Sequence, residues 1–314
     1  MPLDAVPSGA ALALALVWDA ALGEPPARLH PVVWMGRAVA AAERLAPSGR
    51  SGLELAYGAA LAALVPGAFT LGAALLLGAL AGAPLVRLVV EAWLLKSTFA
   101  LRALGDAAQT VRRDLASGDL DAARRDLMNL CSRDANALDE PLVAAAAVES
   151  VAENASDSFV APLLAYAVLG LPGAVFYRAV NTLDAMVGYH GRYEHLGKAS
   201  ARFDDLLNLI PARLTAALLV AAAWLTRRDA RAAARIALRD ARGTESPNAG
   251  WPMSAMAGAL GVALEKVGHY RLGDARAPLR AETIDAAWRL TLVASVLAAL
   301  LAFAGLGIRR AVAG

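Results

Sequence analysis

Acids and amides stand close together here in a chain that is otherwise mostly apolar. The segment ESVAENASD carries Glu149 and Glu153 four residues apart, and Asn154 and Asp157 three apart. On a helix those spacings bring side chains onto one or two adjoining faces. Like charges so placed repel unless something positive sits between them, and hard oxygen ligands at this density suit Mg2+ together with phosphate. YRAVNTLDAMVGY, from Tyr177 to Tyr189, sets Asn181 and Asp184 three apart, after Arg178 and before Gly188. ARFDDLLNLIPARL, from Ala201 to Leu214, adds Asp204, Asp205 and Asn208 within about one turn, and Arg213 just after Pro211. In SPNAGWP, the turn begun by Ser246 and Asn248 offers backbone amides that can cradle an anion. GEPPARLHPVVWMGR, from Gly23 to Arg37, is a rigid extended turn in which His30 can donate to a phosphate or move a proton near neutral pH.

Each pattern has an ordinary reading beside the chemical one. His30 can simply cap a turn at the membrane edge. The acids after Glu149 can form a solvated first helical turn, where the dipole favours them. Their neighbours, however, are Ala, Val and Phe rather than Lys. Acids and amides within apolar segments are costly, which makes them functional candidates by default. There is no G-x-x-x-x-G-K-[ST] loop, no HExxH and no G-x-S-x-G, so no generic motif announces the reaction. The single cysteine, Cys131, excludes an intramolecular disulfide and a Cys-rich metal site. A net charge of +2 gives no reason to expect nucleic acid as a partner.

The elements that must position these residues follow from composition. Hydrophobic residues make up 58% of the 314 and charged residues 18%, with a mean hydropathy of +0.49. A soluble domain carries about 25% charge. Ala and Leu suit helices, and β-branched and aromatic residues are too sparse for a barrel. The expected fold is all-α, a polytopic membrane helical bundle forming a single domain over residues 1–314. It has four to five apolar segments joined by polar helical loops. The absence of a basic stretch before the first apolar run argues against a cleaved signal peptide.

Five stretches are candidates for the bilayer: residues 5–18, 55–86, 158–177, 214–226 and 290–308. The second is 32 residues long, more than the roughly 20 of one pass, and is expected to break at Pro66-Gly67. The fourth reaches spanning length only if it begins upstream, near Leu206. Residues 106–126 read as a solvated helical hairpin turning at Ser117-Gly118-Asp119. Arg227, Arg231, Arg235 and Arg239 recur every four residues and are expected as one basic stripe lying on anionic lipid. Segments 87–157 and 227–289 hold eight and eleven Lys or Arg, against four and five in segments 19–54 and 178–213. Simple alternation would then put the first pair in the cytoplasm and the second pair outside, separating motifs that look chemically related. One apolar run is therefore expected to dip or pack without crossing, with 158–177 and its Pro162 and Pro172 the leading candidate.

GEPP…HPVVWMG, ESVAEN-SD, YRAVNTLDAMVGY, ARFDDLLNLIPARL and SPNAGWP, in this order, resemble the CobD/CbiB family of cobalamin biosynthesis. The likeness runs from Asp19 to about Gly273. It implies a multi-pass ligase of the inner (cytoplasmic) membrane. The family's reaction joins the carboxylate of adenosylcobyric acid to (R)-1-amino-2-propanol or its O-phosphate as an amide, with ATP as the expected activator. The corrinoid is then a substrate, and ATP with Mg2+ the co-substrate and metal. Other membrane-associated cobalamin-assembly enzymes are expected partners, besides the lipid bilayer.

Such a reaction needs carboxylates for the metal, cations for phosphate and a base for the ammonium proton. Glu153, Asp157, Asp184, Asp204 and Asp205 can supply the first, with Asp157, Asp184 and Asp204 as the expected Mg2+ ligands. Arg178, Arg213 and Lys198 can supply the second. His30 or one of the acids can be the base, while Asn154, Asn181, Asn208, Ser246 and Asn248 are expected to bind substrate. An ion-coupled transporter is the rival class, since acids on Pro- and Gly-broken helices suit one too. No inverted repeat supports it. A non-catalytic scaffold would not need so many buried acids.

Overall fold

The structure, a computed structural model, describes residues 8–188, 191 and 193–313. The start of the first apolar run and three members of the YHGR stretch, Tyr189, His190 and Arg192, lie outside the described residues. Twelve helices are described: α1 Ser8–Leu22, α2 Pro31–Glu43, α3 Ser51–Ala79, α4 Pro84–Lys96, α5 Leu101–Ser117, α6 Leu120–Leu127, α7 Glu140–Ala155, α8 Ala161–Val187, α9 Lys198–Leu225, α10 Ala230–Asp240, α11 Gly250–Leu260 and α12 Ala281–Ala313. A two-stranded antiparallel hairpin, β1 Ala263–Lys266 and β2 Tyr270–Gly273, is the departure from an all-helical chain. It pairs buried Leu264 with Leu272 and turns through Gly268 at φ 79°.

Four helical runs are long and apolar enough to cross a bilayer: Ser51–Ala79, Glu140–Val187, Lys198–Leu225 and Ala281–Val312. The protein is thus a polytopic helical membrane protein. α3 does not break at Pro66-Gly67, as expected from sequence; it runs through Pro66 and ends at Ala79, before Pro84 opens α4. In hydrocarbon, freed backbone groups have no water to turn to, so the remaining hydrogen bonds of a 29-residue helix hold one proline within it. α9 reaches spanning length because it begins at Lys198, well upstream of its apolar core. The run from Glu140 to Val187 has 48 residues, over twice the roughly 20 of one pass. It is interrupted twice, by a π-helical turn at Ser156–Val160 and by Gly170 at φ 71° and ψ −164°, just before Pro172.

The chain groups into two compact units. The first contains the residues up to Ala100, Ala161–Leu207, and those from Leu301 onward. In it α8 packs against α2, α3 and α4, and α1 packs on α4. Val39, Leu61, Ala62, Leu183, Val187 and Leu196 form one core there. Gly58 lets the chain at Leu196 lie directly on α3, since a Cβ would collide with the Leu196 carbonyl.

The second unit contains Leu101–Val160 and Asn208–Leu300. Its centre is α7, buried at every position from Val143 to Ala152, with α5, α6, α11 and β1 around it. The solvated hairpin is present: α5 and α6 pack together, joined at Gly118 (φ 79°), and Asp119 caps α6 by accepting from the Ala122 amide at 2.8 Å. The arginine stripe is shorter than expected. Arg227 sits in a turn at φ 57°, α10 starts only after the Asp229 cap, and Arg231, Arg235 and Arg239 share the helix. Its other face, Ala232, Ala233, Ile236 and Ala237, is buried.

Candidate functional site

The predicted site residues fall into four clusters, two in each unit. In the first unit, the last turns of α8 carry Asn181 and Asp184 and the first turns of α9 carry Asp204 and Asp205. Asn181 Nδ2 donates to Asp204 Oδ1 at 3.4 Å. Asp184 Oδ1 is buried and accepts no hydrogen bond. The charges that bear on Asp184 are those of Asp204 and Asp205, both negative. Two glycines allow this approach. A Cβ at Gly188 would strike Asp184 Oδ1, and one at Gly197 would strike the Val187 carbonyl. The Phe176 and Phe203 rings meet edge to face at 5.6 Å and tie α8 to α9. Arg178 stands one turn before Asn181, half-buried, with its carbonyl accepting from Thr182 Oγ1 at 2.7 Å.

The second cluster of this unit surrounds His30, and most of it was missed in the sequence. His30 Nδ1 accepts from the Val32 amide at 3.2 Å and so caps α2, while Nε2 meets Glu24 Oε2 at 2.9 Å. Both ring nitrogens are therefore engaged, and the ring is a cap and a partner for Glu24 rather than a free base. Lys96, wholly buried at the end of α4, reaches Glu24 Oε1 at 2.8 Å, Asp19 Oδ1 at 3.0 Å and the Phe99 carbonyl at 3.0 Å. Burial opposes ionisation of Glu24, but the hydrogen bonds and charges of His30 and Lys96 outweigh it and hold the carboxyl below the usual range. The readable signal was a lysine embedded in VVEAWLLKSTF.

In the second unit, α7 and the π turn carry Glu149, Glu153, Asn154 and Asp157. Asn154 is used within its own helix: Nδ2 donates to the Ser150 carbonyl at 2.9 Å, and Oδ1 accepts from Ser158 Oγ at 3.1 Å. Asn154 Oδ1 thus meets Ser158, four residues on, where the α-helix gives way to a π-helical turn at Ser156–Val160. Glu153 and Asp157 are half-buried. Ser156 Oγ and Glu149 Oε1 are buried without a hydrogen bond. The other Glu149 oxygen is held by Arg133 and, at 3.2 Å, by the Tyr270 hydroxyl. Burial, and then the Glu149 carboxylate, push the Tyr270 phenol well above its usual value, so it stays a donor. Arg133 and Tyr270 were not legible as site residues, since one lies in a loop and the other in the unforeseen hairpin.

The fourth cluster joins α9 to the SPNAGWP turn. Arg213 Nη1 donates to Asn248 Oδ1 at 2.6 Å and to the Leu209 carbonyl at 3.1 Å, and Nη2 to the Pro247 carbonyl at 3.2 Å. Its guanidinium stacks 4.9 Å from the Trp251 ring centre. The expected anion cradle is turned inward: Ser246 Oγ accepts from the amides of Asn248 at 3.2 Å and Ala249 at 3.4 Å. Asn208 is buried.

Among the described residues no three His, Cys, Asp or Glu side chains converge tightly enough to cage a metal. Asp184, with one oxygen that accepts no hydrogen bond, lies in the field of Asp204 and Asp205, and carboxylates are the hard oxygen donors that divalent cations take.

Comparison with known proteins gives one family model and several relatives. The CobD/Cbib protein family model matches residues 12–291. A "Cobalamin biosynthesis protein CobD" of Dehalococcoides mccartyi (strain CBDB1) is 46% identical over 273 residues, 87% of this chain and 89% of that one. One of Geobacter metallireducens is 43% identical over 308 residues, covering 94% and 96%. A "Probable cobalamin biosynthesis protein CobD" of Methanothermobacter thermautotrophicus is 44% identical over 265 residues, covering 84% and 86%. No solved structure matches the chain.

Proposed function

The chain belongs to the CobD/Cbib family, and from that membership we propose that it serves cobalamin biosynthesis as an amide ligase. The acid is adenosylcobyric acid and the amine (R)-1-amino-2-propanol or its O-phosphate. The protein acts as a multi-pass protein of the inner membrane, alongside other membrane-associated enzymes of the same assembly. A carboxylate resists amines because oxide is a poor leaving group. In the proposed route a substrate carboxylate oxygen attacks the γ-phosphorus of ATP and ADP departs. The amine then attacks the acyl phosphate carbonyl, phosphate departs, and the ammonium proton passes to a carboxylate of the site.

The observation that carries this reading is the Asp184, Asp204 and Asp205 cluster, with its buried unsatisfied oxygen. Mg2+ bound there would neutralise charge on the transferring phosphoryl group. Asp184 and Asp204 are its proposed holders, Asn181 orients Asp204, and Arg178 supplies a cation from the preceding turn. His30 is withdrawn as the base, because its two nitrogens are occupied, and an acid of the cluster takes that role. The test is reconstitution. Purified protein is given adenosylcobyric acid, Mg-ATP and either amine, and products are followed by mass spectrometry. Amide formation coupled to ADP release supports the ligase. Ion-driven uptake into vesicles without amide formation would favour the transporter, which the break at Gly170 would also suit.

A further inference from the structure

The HPVVWMG motif does more than present His30. Pro31, Val32, Trp34 and Met35 line a cavity of about 410 Å3, closed by Phe69 and Gly72 of α3 and Trp93 of α4. Every wall belongs to the first unit. No charged side chain lines it. Its polar side chains are already committed to backbone carbonyls. Trp34 Nε1 donates to Arg28 at 3.0 Å, Ser97 Oγ to Trp93 at 2.9 Å and Thr98 Oγ1 to Leu95 at 2.7 Å. A polar substrate would lose its hydration here and gain no hydrogen-bond donor in return. An apolar occupant suffers no such loss.

The surroundings identify which apolar occupant. Leu76 and Trp34 both line the cavity and remain 41% and 37% exposed. Leu71 and Leu75 of α3, alongside Leu76, are more exposed still, on a helix long enough to span the bilayer. The cavity is thus continuous with a surface that faces hydrocarbon. We propose that it holds one hydrocarbon chain of a membrane lipid, threaded between α2, α3 and α4. Gly72 lines the cavity, and a Cβ there meets nothing within 4 Å, so a larger side chain at this position has free space to enter. Unfilled, the lining would forgo contacts that a chain supplies. This site is independent of the ligase reading and stands or fails without it.

The test is native mass spectrometry of the protein released from bilayers of dioleoyl phosphatidylglycerol into mild detergent. Wild type should keep one tightly held lipid. Gly72→Phe fills the space and should lose that adduct. Gly67→Phe should keep it, because its Cβ also meets nothing within 4 Å but it lies outside the lining. Should Gly72→Phe fail to fold, Ala68→Phe, from an exposed position on the same wall, makes the same test. Absence of any retained lipid on wild type, or equal retention by the cavity-filling variant and Gly67→Phe, overturns the proposal.

Discussion

The acids around Lys96 and the acids around Asp184 lie in the same compact unit, and different charges bear on Glu24 and on Asp184. Asp19 and Glu24 share a buried ammonium, and Glu24 also has His30. Asp184 lies instead in the field of two further carboxylates, Asp204 and Asp205. A cluster neutralised from within is complete without a ligand. Where acids bear on one another, as Asp204 and Asp205 bear on Asp184, a bound cation would relieve the repulsion. In a membrane protein, then, the presence of acids does not by itself mark a reaction site; the state of their balance does.

The sharpest way to break this comparison is to remove the internal cation. Lys96→Met should cost about 3–5 kcal/mol of stability, because it leaves buried carboxylates uncompensated. Chemical unfolding in detergent measures it. Adding Asp19→Asn and Glu24→Gln to Lys96→Met should recover much of the loss. A mild effect of Lys96→Met alone would mean that water already shares the charge, and the contrast would lose one side.

Asp184→Asn addresses the other cluster and should behave in the opposite way. Amide formation should fall by about 10²–10³-fold, roughly 2.7–4 kcal/mol of transition-state stabilisation. The folded protein should be no less stable, since one of three mutually repelling acids has been neutralised. Initial rates and a melting curve on one preparation decide it. Unfolding with Asp184→Asn, or full turnover, would remove Asp184 from the reaction.

This contrast explains what the sequence could and could not tell. Hydropathy and helix formers announced a polytopic helical fold, and Ser117-Gly118-Asp119 announced its hairpin, because these signals are local. Asn181 with Asp184, and Asp204 with Asp205, were legible as pairs because spacing along one helix sets each; the Asn181–Asp204 contact across 23 residues was not encoded by either spacing. The answering charges were not legible. Lys96 is 72 residues from Glu24 and Tyr270 is 121 from Glu149, and no periodicity encodes such pairings. Pro66 misled because a proline signals a break in water more strongly than in a long membrane helix.

The pH dependence of the Glu24 contact gives a smaller, graded test. Its folded carboxyl titrates below the ordinary range, held there by His30 and Lys96 against burial. The sign follows: the stability it contributes is complete above the unfolded value near 4.3 and fades as pH falls through the lower folded value. Wild type should therefore lose more melting temperature than Glu24→Gln between about pH 5 and pH 3. Parallel curves for the two proteins would show that Lys96 is neutralised by Asp19 alone.

The smallest effect is expected where charge is exposed. Arg231 and Arg235 lie on the outer face of α10, above a buried row of Ala232, Ala233 and Ile236. Arg239 differs, being held by Asp240 and Asp274. If balance within a cluster is what separates structural from reactive charge, two arginines on an exposed face should touch neither folding nor turnover. They should act on the anionic lipid surface, at about 1 kcal/mol each. A depth-sensitive fluorophore on Leu238→Cys, in a Cys131→Ser background, reports that contact from an exposed position on the same helix. Arg231→Gln with Arg235→Gln should weaken its association with phosphatidylglycerol bilayers while leaving detergent turnover unchanged. A turnover loss as large as that of Asp184→Asn would place the stripe on the substrate's phosphate, and charge balance alone would no longer distinguish the reactive cluster.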